Sequence, residues 1–412
     1  MTRDEFFQKT LGEARIAVCV GCGGVGKTTV SAALGLAAAR RGRNTLILTI
    51  DPARRLADSL GIGELGNQPR PIPSSALSQF GVPPNVKLSA MMLDMKRTFD
   101  DLITRFASSP EARDRILSNT LYQHASETLA GSVEYSAMEK VYELYEGGEF
   151  DLIVLDTPPS QHALDFLEAP QRLVDFLDSR IIRLLVHPAL SAGRIGLRLF
   201  QRGAQRALQT IERVTGLGFL EDVSEFLLAF EGMSGDFRKR AQRVESLLTG
   251  PEASFVLVTG PAEDSVAQSV QFLDRLENFR VPLHGILVNR IHDWPGSSNA
   301  LPTVLEETPL ALEQLTAALA HGAGADFPAE EAARAAFGVA KRYAEIVRRD
   351  EASTSVLRKR TEEIGRYWGR IPEFAADVHN LAGLAQVADR MVLPEENRGA
   401  PTPHRPGEEP DA

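Results

Sequence analysis

The sequence predicts an α/β fold: a doubly wound, mostly parallel sheet with a helical subdomain inserted into it. Three observations carry this expectation. Short apolar runs alternate with helical patterns along most of the chain. A glycine-rich loop joins the first run to the first long helix, and two of the runs end in aspartate.

The first run, residues 15–20, suits a buried strand. It leads into Gly21-Cys22-Gly23-Gly24-Val25-Gly26-Lys27-Thr28, which fits G-x-x-x-x-G-K-[ST]. Residues 29–40, starting at Thr29, are an alanine-rich helix that Gly42 can end. Strand, glycine loop and helix are the context in which this motif cradles phosphates: backbone N–H groups converge on anionic oxygens, and the helix N-terminus adds a favourable dipole. In that setting Lys27 reaches the β- and γ-phosphates and the Thr28 hydroxyl ligates Mg²⁺. The expected ligand is a nucleoside triphosphate, on a sheet of the phosphate-loop NTPase type.

A chain of 412 residues, 43% of them apolar and 24% charged, is ordinary for a globular protein of about two to three domains. The net charge of −10 excludes broad nucleic-acid binding, which needs clustered cations. No apolar run is long enough to span a membrane, and residues 1–7 lack the apolar core of a secretory leader, so a cytoplasmic location is expected. The two cysteines, Cys19 and Cys22, have a C-x-x-C spacing, but one falls in a buried strand and the other in the glycine loop, without a second pair to complete a four-thiolate site.

Residues 44–50 read as a second buried strand running into Asp51. A carboxylate there can act on water or metal, or can merely start a turn. Residues 63–85, rich in proline, glycine and serine, read as a loop, and 87–93 as a strand. A helical excursion occupies about 96–146. Residues 150–155 form a strand that ends in Asp156, placed to hold Mg²⁺ through its water shell. Residues 160–250 read as helices with a heavy apolar load, including Ile182, Leu185, Phe200, Phe226, Phe230 and Met233, either packed together or offered to an apolar partner. Strands follow at 254–259 and 283–289. Asn289, at the end of the latter, can pair with an adenine edge or open a turn. Helices are expected at 308–319, 329–368 and 381–391, with a turn at 370–374, containing Pro372, that can close over a base. From 394 the composition is that of a disordered tail.

Together these residues resemble the ArsA-type ATPases, which include arsenite-pump ATPases and targeting ATPases for tail-anchored membrane proteins. The loop is similar to that family's GKGGVGKT, residues 51–58 to its switch I, and Asp156-Thr157-Pro158-Pro159-Ser160-Gln161-His162-Ala163-Leu164 to its switch II. The resemblance runs from about 13 to 393. It implies a dimeric Mg-ATPase in which Asp51 orients the attacking water and Asn289 contacts adenine. It also implies a helical subdomain that moves with hydrolysis and, in the targeting branch, receives a transmembrane helix. The implied layout is a first core part at 1–170, the helical subdomain at 171–250, a second core part at 251–393 and a tail at 394–412.

Four features depart from the family pattern. Cys22 stands where the signature lysine reaches across the dimer, Gln161 replaces a glycine, and Arg54 and Arg55 replace histidine and serine. The zinc C-x-x-C and the metalloid-binding cysteines are missing, which argues against arsenite translocation. The expected function is a homodimeric ATPase, or a heterodimeric one with a paralogue, that handles a hydrophobic or tail-anchored client. The alternative is a regulatory scaffold resembling the partition and division-site ATPases, although the acidic chain offers no clear basic or amphipathic docking surface.

Overall fold

The apolar run before the glycine loop forms β1 (Ile16–Gly21), buried along its whole length. In the computed structural model, the described residues are 1–50, 55–107, 109–119, 122, 132–158, 234–295, 308–323 and 327–392. The remaining strands are β2 (Thr45–Thr49), β3 (Arg70–Pro71), β4 (Leu88–Met92), β5 (Leu152–Asp156), β6 (Ala253–Thr259), β7 (Leu283–Ile291) and β8 (Tyr367–Pro372). They form one 8-stranded sheet in the order β3-β4-β2-β5-β1-β6-β7-β8. Every neighbouring pair is parallel except β3 with β4. This is the mostly parallel α/β sheet that the alternation of strands and helices predicts.

Continuous apolar runs suit parallel strands because both faces of such a sheet are covered. Val18, Val20, Leu46, Leu48, Leu155 and Leu257 point to one side, against the helices Ser132–Gly147, Ser234–Thr249 and Glu263–Asn278. Ala17, Cys19, Val154, Val256 and Val258 point to the other, against Lys27–Arg40 and Leu381–Val392. Alanines dominate Lys27–Arg40, and their small side chains let this helix sit close beneath the sheet, buried around most of its circumference.

Three expectations need correction. Residues 63–85 are not only loop: they contain the short antiparallel strand β3 and the one-turn helix Ser74–Ser78, anchored by buried Leu77. The long helix ends at Glu363 rather than Trp368, because the chain turns at Gly365, whose φ is 65°. The expected turn at 370–374 is instead largely strand, with Ile371 paired to Asn289 and Pro372 to Ile291. Pro372 closes that edge strand, a position where its missing N–H leaves no gap in the ladder. No element is expected from the sequence at residues 3–13, which are helical, with Thr2 and Glu5 forming a capping box and the turns from Gln8 to Glu13 widening to π geometry. Phe6 is fully buried and stacks on Tyr367 with ring centroids 4.7 Å apart, which brings the N-terminal helix against β8.

Among the described residues, the excursion at 96–146 includes the helices Met95–Phe106, Pro110–Ser118 and Ser132–Gly147. Of the expected helical subdomain at 171–250, only the returning helix Ser234–Thr249 belongs to the described residues. The six apolar residues from Ile182 to Met233, together with Gln161 and the tail at 394–412, lie outside them.

Candidate functional site

The register of the sheet sets up the site. β1 lies between β5 and β6, with Cys19 opposite both Asp156 and Val256 and Gly21 opposite Val258. The loop that leaves β1 therefore opens beside the carboxyl end of β5, where ligands bind to sheets of this kind. Gly26 caps Lys27–Arg40 with φ 87°, a left-handed conformation that favours glycine, and a Cβ there would lie 2.3 Å from Asn289 Nδ2. No side chain caps this helix, so its first N–H groups face the loop and suit an anion.

Lys27 is largely buried, and its ammonium donates to the carbonyls of Gly21 at 3.0 Å and Cys22 at 2.8 Å. These two bonds fold the side chain along its own loop. Thr28 Oγ1 donates to Asp156 Oδ2 at 2.7 Å, and Thr49 Oγ1 donates to the same oxygen at 2.9 Å. Asp156 is 1% exposed. One carboxylate thus ties the phosphate loop, the end of β2 and the end of β5 together. Thr157 adds a further tie, its hydroxyl donating to the Cys19 carbonyl at 2.8 Å. The hydroxyl and carboxylate oxygens of Thr28 and Asp156 form a hard donor set that fits a divalent cation such as Mg²⁺, which is bound through one or two carboxylates plus phosphate oxygens.

Asn289 donates from Nδ2 to the Val25 carbonyl at 2.9 Å, bracing the loop from β7. The Cys22 thiol turns away from the phosphate side, 3.7 Å from the Ser265 carbonyl and 4.0 Å from Ser269 Oγ. Cys22 accordingly offers the loop its backbone and not a side chain. Burial pushes the Cys19 thiol up to about 12, so this sulfur stays protonated inside the sheet.

A cavity of about 560 Å³ lies over the loop, lined by Gly24, Gly26, Lys27, Thr28, Thr29, Thr157 and Asn289. Its far wall is built from Arg290, Glu373, Phe374, Asp377 and His379. The wall begins one residue beyond Pro372, which stands at the end of β8. Arg55 and Asp58 line the cavity from the start of the helix Arg55–Leu60, while Asp51 and Arg54 are outside the described residues. Thr49, Arg290 and Asp377 escaped the sequence reading, while Phe374 belongs to the 370–374 segment expected to close over a base. The signal for Thr49 was its position two residues before Asp51, but a threonine in a strand also reads as ordinary β-propensity.

A parallel sheet, a glycine loop opening a helix and an aspartate joined to that loop from the neighbouring strand define a phosphate-loop nucleoside triphosphatase. The family model described as anion-transporting ATPase, ArsA, matches residues 14–300, and the chain belongs to that family. Relatives include the ATPase ASNA1 homolog of Entamoeba dispar, 28% identical over 283 residues, which are 66% of this chain and 74% of that one. The ATPase get3 of Schizosaccharomyces japonicus is 24% identical over 273 residues, 66% of this chain and 72% of that one. The ATPase get3 of Aspergillus terreus is 25% identical over 289 residues, 69% and 74% of the two chains. The protein is an ATPase, and its nucleotide is the substrate of hydrolysis.

Proposed function

We propose that the protein hydrolyses Mg-ATP as a dimer in the cytoplasm and couples turnover to the handling of a hydrophobic, membrane-destined protein segment. The observation that carries the Mg-ATP part is Asp156 Oδ2, which accepts from both Thr28 and Thr49. In this reading the backbone of Gly21, Cys22, Gly23, Gly24, Val25 and Gly26 wraps the phosphates. Lys27 swings from its carbonyl partners to the β- and γ-oxygens, and Thr29 follows on the first helical turn. Thr28 and Asp156 hold Mg²⁺, which neutralises charge on the phosphates when bound. Asn289, with Pro372 and the residues after it, takes the adenine. Asp51 lies two residues beyond the end of β2 in sequence and orients the attacking water.

The client part rests on the ArsA-type resemblance and on the apolar load of residues 175–235. Among the described residues no helix is long and apolar enough to cross a membrane. A homodimer and a heterodimer with a paralogue both suit the reading, because Cys22 cannot supply an in-trans cation.

The test is phosphate release by Asp51→Asn. With ATP affinity retained, loss of the water-orienting carboxylate lowers turnover by about 10²–10⁴-fold. Wild-type turnover in that variant would return Asp51 to a turn residue.

A further inference from the structure

At the edge of the sheet where its strands begin, opposite the glycine loop, the surface carries a groove of about 490 Å³. Tyr145 and Leu247, both half-buried, form its apolar floor, and the Tyr142 ring stacks behind Tyr145 with centroids 6.3 Å apart. Tyr145 is held in place: its hydroxyl donates to Glu252 Oε2 at 2.7 Å, and the Arg15 guanidinium lies 4.4 Å from its ring centre. Arg15 and Glu252 directly precede β1 and β6, which fixes the groove at that edge. On the rim stand exposed Lys239 and Arg243, one turn apart on the helix Ser234–Thr249.

A cationic rim over an aromatic floor suits an extended proline-rich segment with acidic neighbours. Proline fixes φ at about −65°, so such a segment loses little entropy on docking, and aromatic-lined grooves receive it. The nearby carboxylates are already committed, Glu252 to Tyr145 and Glu146 to Tyr142 and Arg240. The rim therefore keeps its positive character.

This chain contains such a segment. Residues 394–412, outside the described residues, hold five prolines among 19 positions. Pro403 and Pro406 are three apart, one turn of a polyproline helix, and Glu408, Glu409 and Asp411 follow. The end of the described chain brings them within reach. The helix Leu381–Val392 lies on the other face of the sheet but finishes at the same edge. Asp389 accepts from Arg40 at 2.7 Å, Arg43 donates to the Ala14 carbonyl at 2.7 Å, and Arg15 is the next residue. The path from Val392 to Tyr145 thus rounds one edge of the sheet. Residues 393–402 supply ten positions before Pro403. Extended, they reach about 30 Å, against about 10 Å for the width of a helix.

We infer that the groove over Tyr145 and Leu247 is a docking surface for this chain's own residues 403–411, with the prolines on the floor and Glu408 and Glu409 beside Lys239 and Arg243. The inference is independent of the nucleotide reading, because the groove and the glycine loop lie at opposite ends of the strands. The test is zero-length carbodiimide cross-linking of the full chain, read by mass spectrometry, which joins an amine to a carboxylate in direct contact. The wild type gives a link from Lys239 to Glu408 or Glu409. Arg243→Glu leaves the linked groups in place, alters an exposed position and lowers the yield by about fivefold. Pro403→Ala combined with Pro406→Ala touches nothing in the described fold and lowers it by about the same factor. An excess of synthetic peptide 394–412 suppresses the link. Absence of the link in the wild type, or a link indifferent to these three changes, overturns the inference. A groove that takes a foreign acidic proline-rich peptide while the chain's own tail stays unlinked also overturns it, since the surface then belongs to a partner.

Discussion

Thr28 Oγ1 donates to Asp156 Oδ2 at 2.7 Å, joining the first turn of the phosphate-loop helix to the end of the neighbouring strand. The bond places a loop hydroxyl and a buried carboxylate on one spot, with Thr49 holding the carboxylate from a third element. Motifs more than a hundred residues apart in sequence thereby act on a single ligand.

Lys27→Ala removes the only loop side chain able to neutralise the β- and γ-phosphates and also frees the Gly21 and Cys22 carbonyls from its ammonium. The expected result is loss of triphosphate binding in isothermal titration, with the fold retained by circular dichroism. Undiminished affinity would move the nucleotide away from this loop.

Much of this site was legible in the sequence because its chemistry is local. The glycine loop, the carboxylate at the end of β5 and the apolar runs of β1, β2, β5 and β6 are each contiguous, and a buried parallel strand leaves an unbroken apolar signature. β8 was hidden because it is a short edge strand whose residues are mostly half-buried, and it follows a helix of strong helix formers with only Gly365 to mark the stop. The N-terminal helix did carry a local signal, the Thr2–Glu5 capping box. Its place was unreadable because Phe6 finds Tyr367 across nearly the whole chain.

Glu139 and Arg240 form a buried ion pair between the helices Ser132–Gly147 and Ser234–Thr249, with Arg240 also 3.2 Å from Glu146 and lying over the Tyr142 ring. Burial raises the Glu139 carboxyl above its ordinary value, against the opposing pull of Arg240. Glu139→Ala strands a mostly buried guanidinium and lowers stability by about 3 kcal/mol in urea unfolding. Replacing both residues by leucine recovers most of that loss. A cost below about 1 kcal/mol for the single variant would show that Glu146 alone satisfies Arg240.

His284 Nδ1 lies 2.8 Å from Ser254 Oγ, which in turn lies 2.9 Å from Thr10 Oγ1. Burial, with Lys9 and Arg366 nearby, pushes the imidazole down from 6.5 to about 4. The folded value is the lower one, so the unfolded chain takes up this proton first as pH falls. The contribution is whole above pH 6.5 and is lost between 6.5 and about 4. Urea midpoints at pH 7.5 and pH 5 should therefore differ less in His284→Gln than in wild type. An equal drop in both would place the acid sensitivity elsewhere.

The central claim is that Asp156 serves the nucleotide through a divalent cation and not only through the fold. The most direct measurement is ATP hydrolysis as a function of Mg²⁺ concentration for wild type and Asp156→Asn. The amide keeps the size of the side chain and can still accept from Thr28 and Thr49. The account predicts a Mg²⁺-dependent wild type and a variant whose activity or apparent Mg²⁺ affinity falls by about 10–100-fold, with an unchanged unfolding midpoint. An unshifted Mg²⁺ dependence with full turnover in the variant would contradict it.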